Sequence, residues 1–124
     1  WLVRHQRPDG GWGEDSRGCL DGRYREALQS QVIQTSWALI ALLSARSPEW
    51  EVVERGAAYL AETQAVDGRW QQSEGAGMFF NTAVLDYSLY RVYFPLWALA
   101  LFEQRRRERS RLPQASPVSG GEED

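Results

Sequence analysis

The chain is 124 residues long, enough for one domain or a part of one, with a formal net charge of −3. The acidic balance argues against a nucleic-acid partner, and a single cysteine, Cys19, excludes an internal disulfide. Six tryptophans point to a structure held by large flat side chains. In chain order, Trp1 to Arg7 reads as the end of a helix, stopped by Pro8-Asp9-Gly10-Gly11. Residues 13 to 28 are polar and glycine-bearing and read as a connecting loop. From Ser30 to Ala45, Val32, Ile33, Ser36, Trp37, Ile40, Ala41 and Leu43 recur at helical spacing. The second half of that helix is apolar almost all round, which predicts deep burial. Ser47-Pro48 predicts the next N-terminus, with Ser47 as cap and Pro48 as the first helical residue. That helix runs to about Gln64, turning Val52, Val53, Ala57, Tyr59 and Leu60 inward.

Residues 71 to 86 read as an irregular apolar loop whose rings, Phe79 and Phe80, need a cover. A last helix begins near Tyr87 or Ser88 and runs to about Arg107; Pro95 predicts a kink or a later start at Phe94. Residues 1–109 form the folded part, and 110–124 are a tail rich in Ser, Pro, Gly and Glu that predicts disorder. The basic run Arg105 to Arg107, with Arg109 and Arg111, suits a helix C-terminus and also suits anionic lipid headgroups. No apolar run reaches the roughly 20 residues of a spanning helix.

One short pattern occurs twice, at residues 1–12 and 55–70. Trp1-Leu2, Gln6 and Gly10-Gly11-Trp12 make the first copy; Tyr59-Leu60, Gln64 and Gly68-Arg69-Trp70 make the second. The internal spacings are equal, and the second copy has Arg55-Gly56 in front of it. A repeat of this kind predicts stacked helical hairpins. Physically, a Gln amide can take carbonyls left unpaired at a helix end. A Gly-x-Trp turn can then bring the indole back over it. Gln6, Trp12, Gln64 and Trp70 are therefore read as structural. Because the chain opens inside a repeat, it is expected to be the C-terminal portion of a longer protein.

These units resemble the QW repeats of the terpene cyclases that fold squalene or oxidosqualene. The likeness covers about residues 1 to 110. Gly10-Gly11-Trp12-Gly13-Glu14-Asp15 with Cys19, Tyr24 and Gln29-Ser30-Gln31 is similar to the oxidosqualene branch, and Gln34-Thr35-Ser36-Trp37-Ala38-Leu39 to both branches. Gly77-Met78-Phe79-Phe80-Asn81, the run from Leu85 to Arg91, and Tyr93-Phe94-Pro95-Leu96-Trp97-Ala98-Leu99 resemble the family's last segment. Phe80 stands where many sterol cyclases have Asn, and the run from Leu85 looks more like bacterial members of the sterol branch.

The resemblance implies an all-α fold, part of an α/α (α6-α6) barrel. It also implies an isomerase that converts 2,3-oxidosqualene to a tetracyclic sterol precursor by a carbocation cascade, without cofactor or metal. A protonated carboxylic acid opens the epoxide, cations migrate, and a proton is lost. Such cations need a dry cavity and π faces. By family position, Phe79, Tyr87 and Tyr90 are the substrate-facing rings, with Tyr90 one layer behind. The family's Asp-Cys-Thr-Ala and Asp-x-Asp-Asp acid motifs are both missing from this sequence. An acid of this kind must be buried or crowded by another carboxylate. Asp9, Asp15, Asp21 and Asp67 sit in polar turns, and Asp86 reads as a helix N-terminal residue. The initiating acid is therefore expected outside these residues, and the segment is expected to be inactive alone. His5 reads as a surface residue, and no ligand-spaced His/Cys/Asp cluster suggests a metal. Membrane lipid is the second implied partner, with monotopic attachment to the bacterial cytoplasmic membrane or its equivalent. Two alternatives stand beside this reading: a squalene-hopene cyclase, and a non-catalytic helical module that binds a lipid or a partner.

Overall fold

A computed structural model describes residues 1–71, 75–80 and 82–111. A 3-10 turn at Leu2–His5 leads into a loop that contains a one-turn helix, α1 (Gly18–Asp21). Three longer helices follow: α2 (Val32–Ser44), α3 (Trp50–Glu62) and α4 (Tyr90–Arg111). Between α3 and α4 lies a two-stranded ribbon, β1 (Gly77–Phe79) and β2 (Ala83–Leu85), paired antiparallel with Met78 opposite Val84. The fold is mainly helical, with α2, α3 and α4 packed on one another.

Several local expectations change. The segment expected as an irregular loop contains the ribbon, because backbone pairing that starts at Ala76 N–H on Leu85 C=O, 2.8 Å, outweighs the weak strand signal of glycine. Helix α3 begins two residues later than the Ser47-Pro48 signal placed it: Ser47 Oγ accepts from Glu49 N–H at 3.3 Å, making a turn ahead of the helix. Helix α4 starts at Tyr90 and continues through Pro95 to Arg111. Its opening turn is satisfied by Tyr87, Ser88 and Leu89 carbonyls. Pro95, the sixth helical residue, leaves Arg91 C=O without its i+4 N–H donor, a loss the helix carries without ending there. Residues 112–124 lie outside the described residues.

The core sits where α2 meets α3. Val32, Leu39, Leu42 and Leu43 of α2 pack on Val53, Ala57 and Leu60 of α3, and Ala98 of α4 closes the cluster. The recurrence of apolar residues three and four apart on each helix produces these faces. Helix α2 is not buried all round: Trp37 and Ala41 lie on an open face. The start of α2 is fixed by polar contacts. Thr35 Oγ1 accepts from Trp12 N–H at 2.8 Å and donates to Trp12 C=O at 3.2 Å. Gln31 N–H donates to the same carbonyl at 2.8 Å, and Tyr59 OH reaches Ser30 C=O at 2.9 Å. A buried hydroxyl satisfied in both directions removes the penalty of placing Thr35 in the core.

The two repeated units close with the same bonds. The Trp12 indole N–H donates to Leu2 C=O at 2.9 Å, and that of Trp70 to Leu60 C=O at 2.8 Å. Gln6 Nε2 donates to Gly10 C=O, and Gln64 Nε2 to Gly68 C=O, each at 2.9 Å. Asp9 Oδ1 and Asp67 Oδ1 accept from the N–H two residues on, each at 3.0 Å. Gly10 and Gly68 both take left-handed backbone, φ 88° and 83°, which a side chain would strain. The division of labour differs from the expected one. The indole, not the glutamine, pairs the helix-end carbonyl, and the glutamine ties down the turn.

Candidate functional site

The open face of α2 and the start of α4 share a cluster of rings. Tyr90 and Phe94 stand one helical turn apart on α4, their rings edge-on at 5.1 Å. Trp37 of α2 meets Phe94 at 5.4 Å and Tyr90 at 6.2 Å, both edge-on. Tyr87 meets Tyr90 edge-on at 5.1 Å, and Trp97 stacks beyond Phe94 at 6.2 Å. Edge-to-face pairs place the positive edge of one ring on the negative face of the next. The contacts therefore hold the rings in defined relative orientations.

Of the residues singled out in the sequence, the structure brings Tyr87 and Tyr90 together in this cluster. Phe79 stands on β1, where its ring pairs with Phe80 at 6.4 Å. The rings expected to need a cover are open, Phe79 at 54% and Phe80 at 92% exposed, and Tyr87 is 46% exposed as well. Phe80 also carries a left-handed backbone, φ 50°, unusual for a bulky residue. Trp37 and Phe94 were missed as site candidates. The signal for Phe94 was its spacing from Tyr90. Trp37 lay hidden in a run that read as core, and only the packing of α4 against α2 selects it.

A groove of about 250 Å³ adjoins the cluster. Trp37, Ala38 and Ala41 of α2 form one side, and Trp1, Leu2 and Tyr24 the other. Trp12 and Gln34 also reach it, and Gln34 Oε1 is buried without a partner among the described residues. Gln34 touches a smaller cleft against Gly75 to Met78 as well, so it lies between the groove and the ribbon. His5 is half-buried rather than a plain surface residue: it stacks on Trp1 at 3.9 Å and meets Tyr24 edge-on at 4.9 Å. Burial, followed by the neighbouring Glu26 and Glu14, raises the Tyr24 hydroxyl pKa, so it stays protonated and neutral.

The aspartates are engaged in turns and ion pairs. Asp15 bonds Arg17, whose guanidinium holds it down to about 2. Asp9 accepts from Gly11 N–H and Ser30 OH, Asp67 from Arg69 N–H, and Asp21 pairs with Arg25. Asp86 lies four residues before α4 and faces Arg91 at 3.5 Å. A carboxyl that must protonate substrate needs the opposite environment, burial or a like charge. Among the described residues no group of three His, Cys, Asp or Glu is placed to hold a metal ion. No described helix is long and apolar enough to cross a membrane.

Comparison with known proteins adds an independent line. A family model for the squalene-hopene cyclase C-terminal domain matches residues 1–104. Human lanosterol synthase is 42% identical over 110 residues, covering 89% of this chain and 15% of that enzyme. The lanosterol synthase of Saccharomyces cerevisiae is 38% identical over 104 residues, 84% of this chain and 14% of its own length. The squalene–hopene cyclase of Bradyrhizobium diazoefficiens is 42% identical over 114 residues, 90% of this chain and 17% of its own. The chain thus spans about a sixth of the length of these relatives.

Proposed function

The chain belongs to the squalene-hopene cyclase C-terminal domain family, and we propose that it supplies part of the wall and floor of the polyene cavity in a triterpene cyclase. The observation that carries this reading is the ring cluster of Trp37, Tyr87, Tyr90 and Phe94 on an open helix face. Aromatic faces attract cations without attacking them, each by about 0.5 to 2 kcal/mol and more when water is excluded. A carboxylate or a lysine at the same place would trap the cation or repel it. The substrate is 2,3-oxidosqualene, converted by isomerisation to a tetracyclic sterol precursor: one proton enters at the epoxide oxygen and one leaves a carbon at the end of the cascade. The Phe94-Pro95-Leu96-Trp97-Ala98-Leu99 ending supports the oxidosqualene branch. Squalene is the rival substrate, since a squalene–hopene cyclase is as similar as a lanosterol synthase.

In this reading the initiating acid and the opposite cavity wall come from residues outside those described, and the segment by itself is inactive. Phe79 projects from the ribbon toward the late cations, while Tyr90 holds Tyr87 from behind. Gln6, Trp12, Gln64 and Trp70 stabilise and take no part in chemistry. Membrane lipid is the second partner, through monotopic attachment to the cytoplasmic membrane or its equivalent.

Product analysis of the full-length protein fed 2,3-oxidosqualene tests this. Phe79→Ala removes a π face and raises the late cation by about 1 to 2 kcal/mol, close to tenfold in partition between branches. Partly cyclised or unrearranged alkenes then appear beside the normal product, and Phe79→Tyr shifts the pattern less. One unchanged product at lower yield would mean that Phe79 only packs.

A further inference from the structure

The end of α2 remote from Trp37 opens on a second groove, about 10 Å along the helix at roughly 1.5 Å per residue. It encloses about 190 Å³. Leu42, Leu43, Val53 and Trp50 form an apolar floor, and Arg46, Arg105, Arg109 and Glu108 a charged rim. Glu108 pairs with Arg105 at 2.7 Å and lies 3.7 Å from Arg46. Arg109 lies over the Trp50 ring, 4.5 Å from its centroid, and has no ion pair among the described residues. Arg105 is mostly buried, and its Nε has no acceptor among the described residues. Three guanidinium groups thus converge where one carboxylate is present, and a buried donor is left over.

The C-terminal dipole of α4 accounts for cations at positions 105 and 109. Arg46 arrives from the turn after α2 in a left-handed backbone, φ 51°, and brings a third cation to the same Glu108 carboxylate. Glu54 of α3 accepts from the Trp50 indole N–H at 2.8 Å and forms no ion pair with any of the three among the described residues. Planar guanidinium forks match the oxygens of a phosphate. The apolar floor beneath them suits a ligand with a hydrocarbon stem, and the volume admits a headgroup and the first part of that stem.

We propose that this groove binds the phosphate of an anionic lipid, held by Arg46, Arg105 and Arg109, with the proximal hydrocarbon on Leu42, Leu43 and Trp50. The site uses none of the ring cluster; it rests on the membrane reading above only for the source of its ligand.

The test is calorimetric titration of the full-length protein with dihexanoyl phosphatidic acid below its micelle concentration, with glycerol 3-phosphate and dihexanoyl phosphatidylcholine as comparators. Phosphatidic acid is expected to bind most tightly. Arg46→Gln with Arg109→Gln, both exposed positions, should weaken it roughly tenfold to a hundredfold. Arg107→Gln with Arg111→Gln removes equal charge outside the groove and should change it by no more than about threefold. Equal weakening by both pairs would reduce the effect to diffuse charge and overturn the site. Glycerol 3-phosphate binding as tightly as the lipid would overturn the amphiphile, and absence of phosphatidic acid binding would overturn the groove altogether. Vesicle flotation separates the two readings: retained flotation with no binding in solution removes the groove and leaves membrane attachment standing.

Discussion

The two repeated units make the same set of internal bonds in two settings. Each has an indole on a helix-end carbonyl, a glutamine on a glycine carbonyl and an aspartate on the turn. The first unit is docked. Gln6 Nε2 also donates to Val52 C=O at 2.8 Å, its Oε1 accepts from Arg55, and Trp12 packs under Gly56. Arg7 adds Ala27 and Leu28 carbonyls at 2.9 and 3.0 Å. The second unit keeps its internal bonds with Gln64 exposed. Local geometry is thus written within a dozen residues, while the energy each unit contributes depends on what packs against it. The Arg55-Gly56 pair that opens the second copy is the dock for the first, which explains its presence in the pattern.

Truncating the indoles should have the largest effect. Trp12 and Trp70 are both only 4% exposed, and Trp12→Ala or Trp70→Ala in the full-length protein should each cost about 3 to 5 kcal/mol. Thermal melts read this directly. An unchanged Tm with an altered product pattern would show that these residues serve chemistry instead. The corresponding Phe variants keep most of the packing and lose one hydrogen bond each, so a cost of about 1 kcal/mol is expected.

The glutamines separate the two settings. Gln6→Leu strands the Gly10 carbonyl, removes the second bond on Val52 C=O and frees Arg55, and should cost about 1 to 3 kcal/mol, against about 0.5 kcal/mol for Gln64→Leu. Equal costs in denaturant melts would mean that docking adds nothing to the first unit. Gly56→Ala probes the same contact from the other side. In an exposed helix this change stabilises by about 1 kcal/mol. Here the new Cβ would lie 2.9 Å from the Trp12 ring, so a loss of about 1 to 2 kcal/mol is expected. A rise in Tm would place the ring elsewhere.

The smallest effect belongs to a region dense in bonds yet largely open to solvent. Glu103 accepts from Arg106 and Arg107, and these bonds hold its carboxyl at about 2, against an ordinary value of 4.5. With the folded value depressed, any stabilisation is complete above the ordinary range and is lost as pH falls toward the folded value. Solvent screening makes it slight. Glu103→Gln should leave the neutral-pH melt nearly unchanged. A clear loss at neutral pH that disappeared in acid would show that exposed pairs matter here as much as docked ones.

Residues close in sequence were the legible part. The helices followed from apolar residues three and four apart, and the repeated turns from glycine, glutamine and tryptophan at equal intervals. The aromatic candidates Phe79, Tyr87 and Tyr90 came from likeness to a family, and Tyr90 and Phe94 share a face by helical spacing alone. Tertiary packing decided the rest. Trp37 lies at the exposed margin of α2, in ring contact with Tyr90 and Phe94 of α4, rather than inside the core. Ribbon pairing, the dock of Gly56 on Trp12, and the meeting of Arg46 with Arg105 and Arg109 join residues far apart in the chain. Periodicity carries information only over a few turns of one element, whereas these contacts depend on how separate elements approach, which no local pattern records.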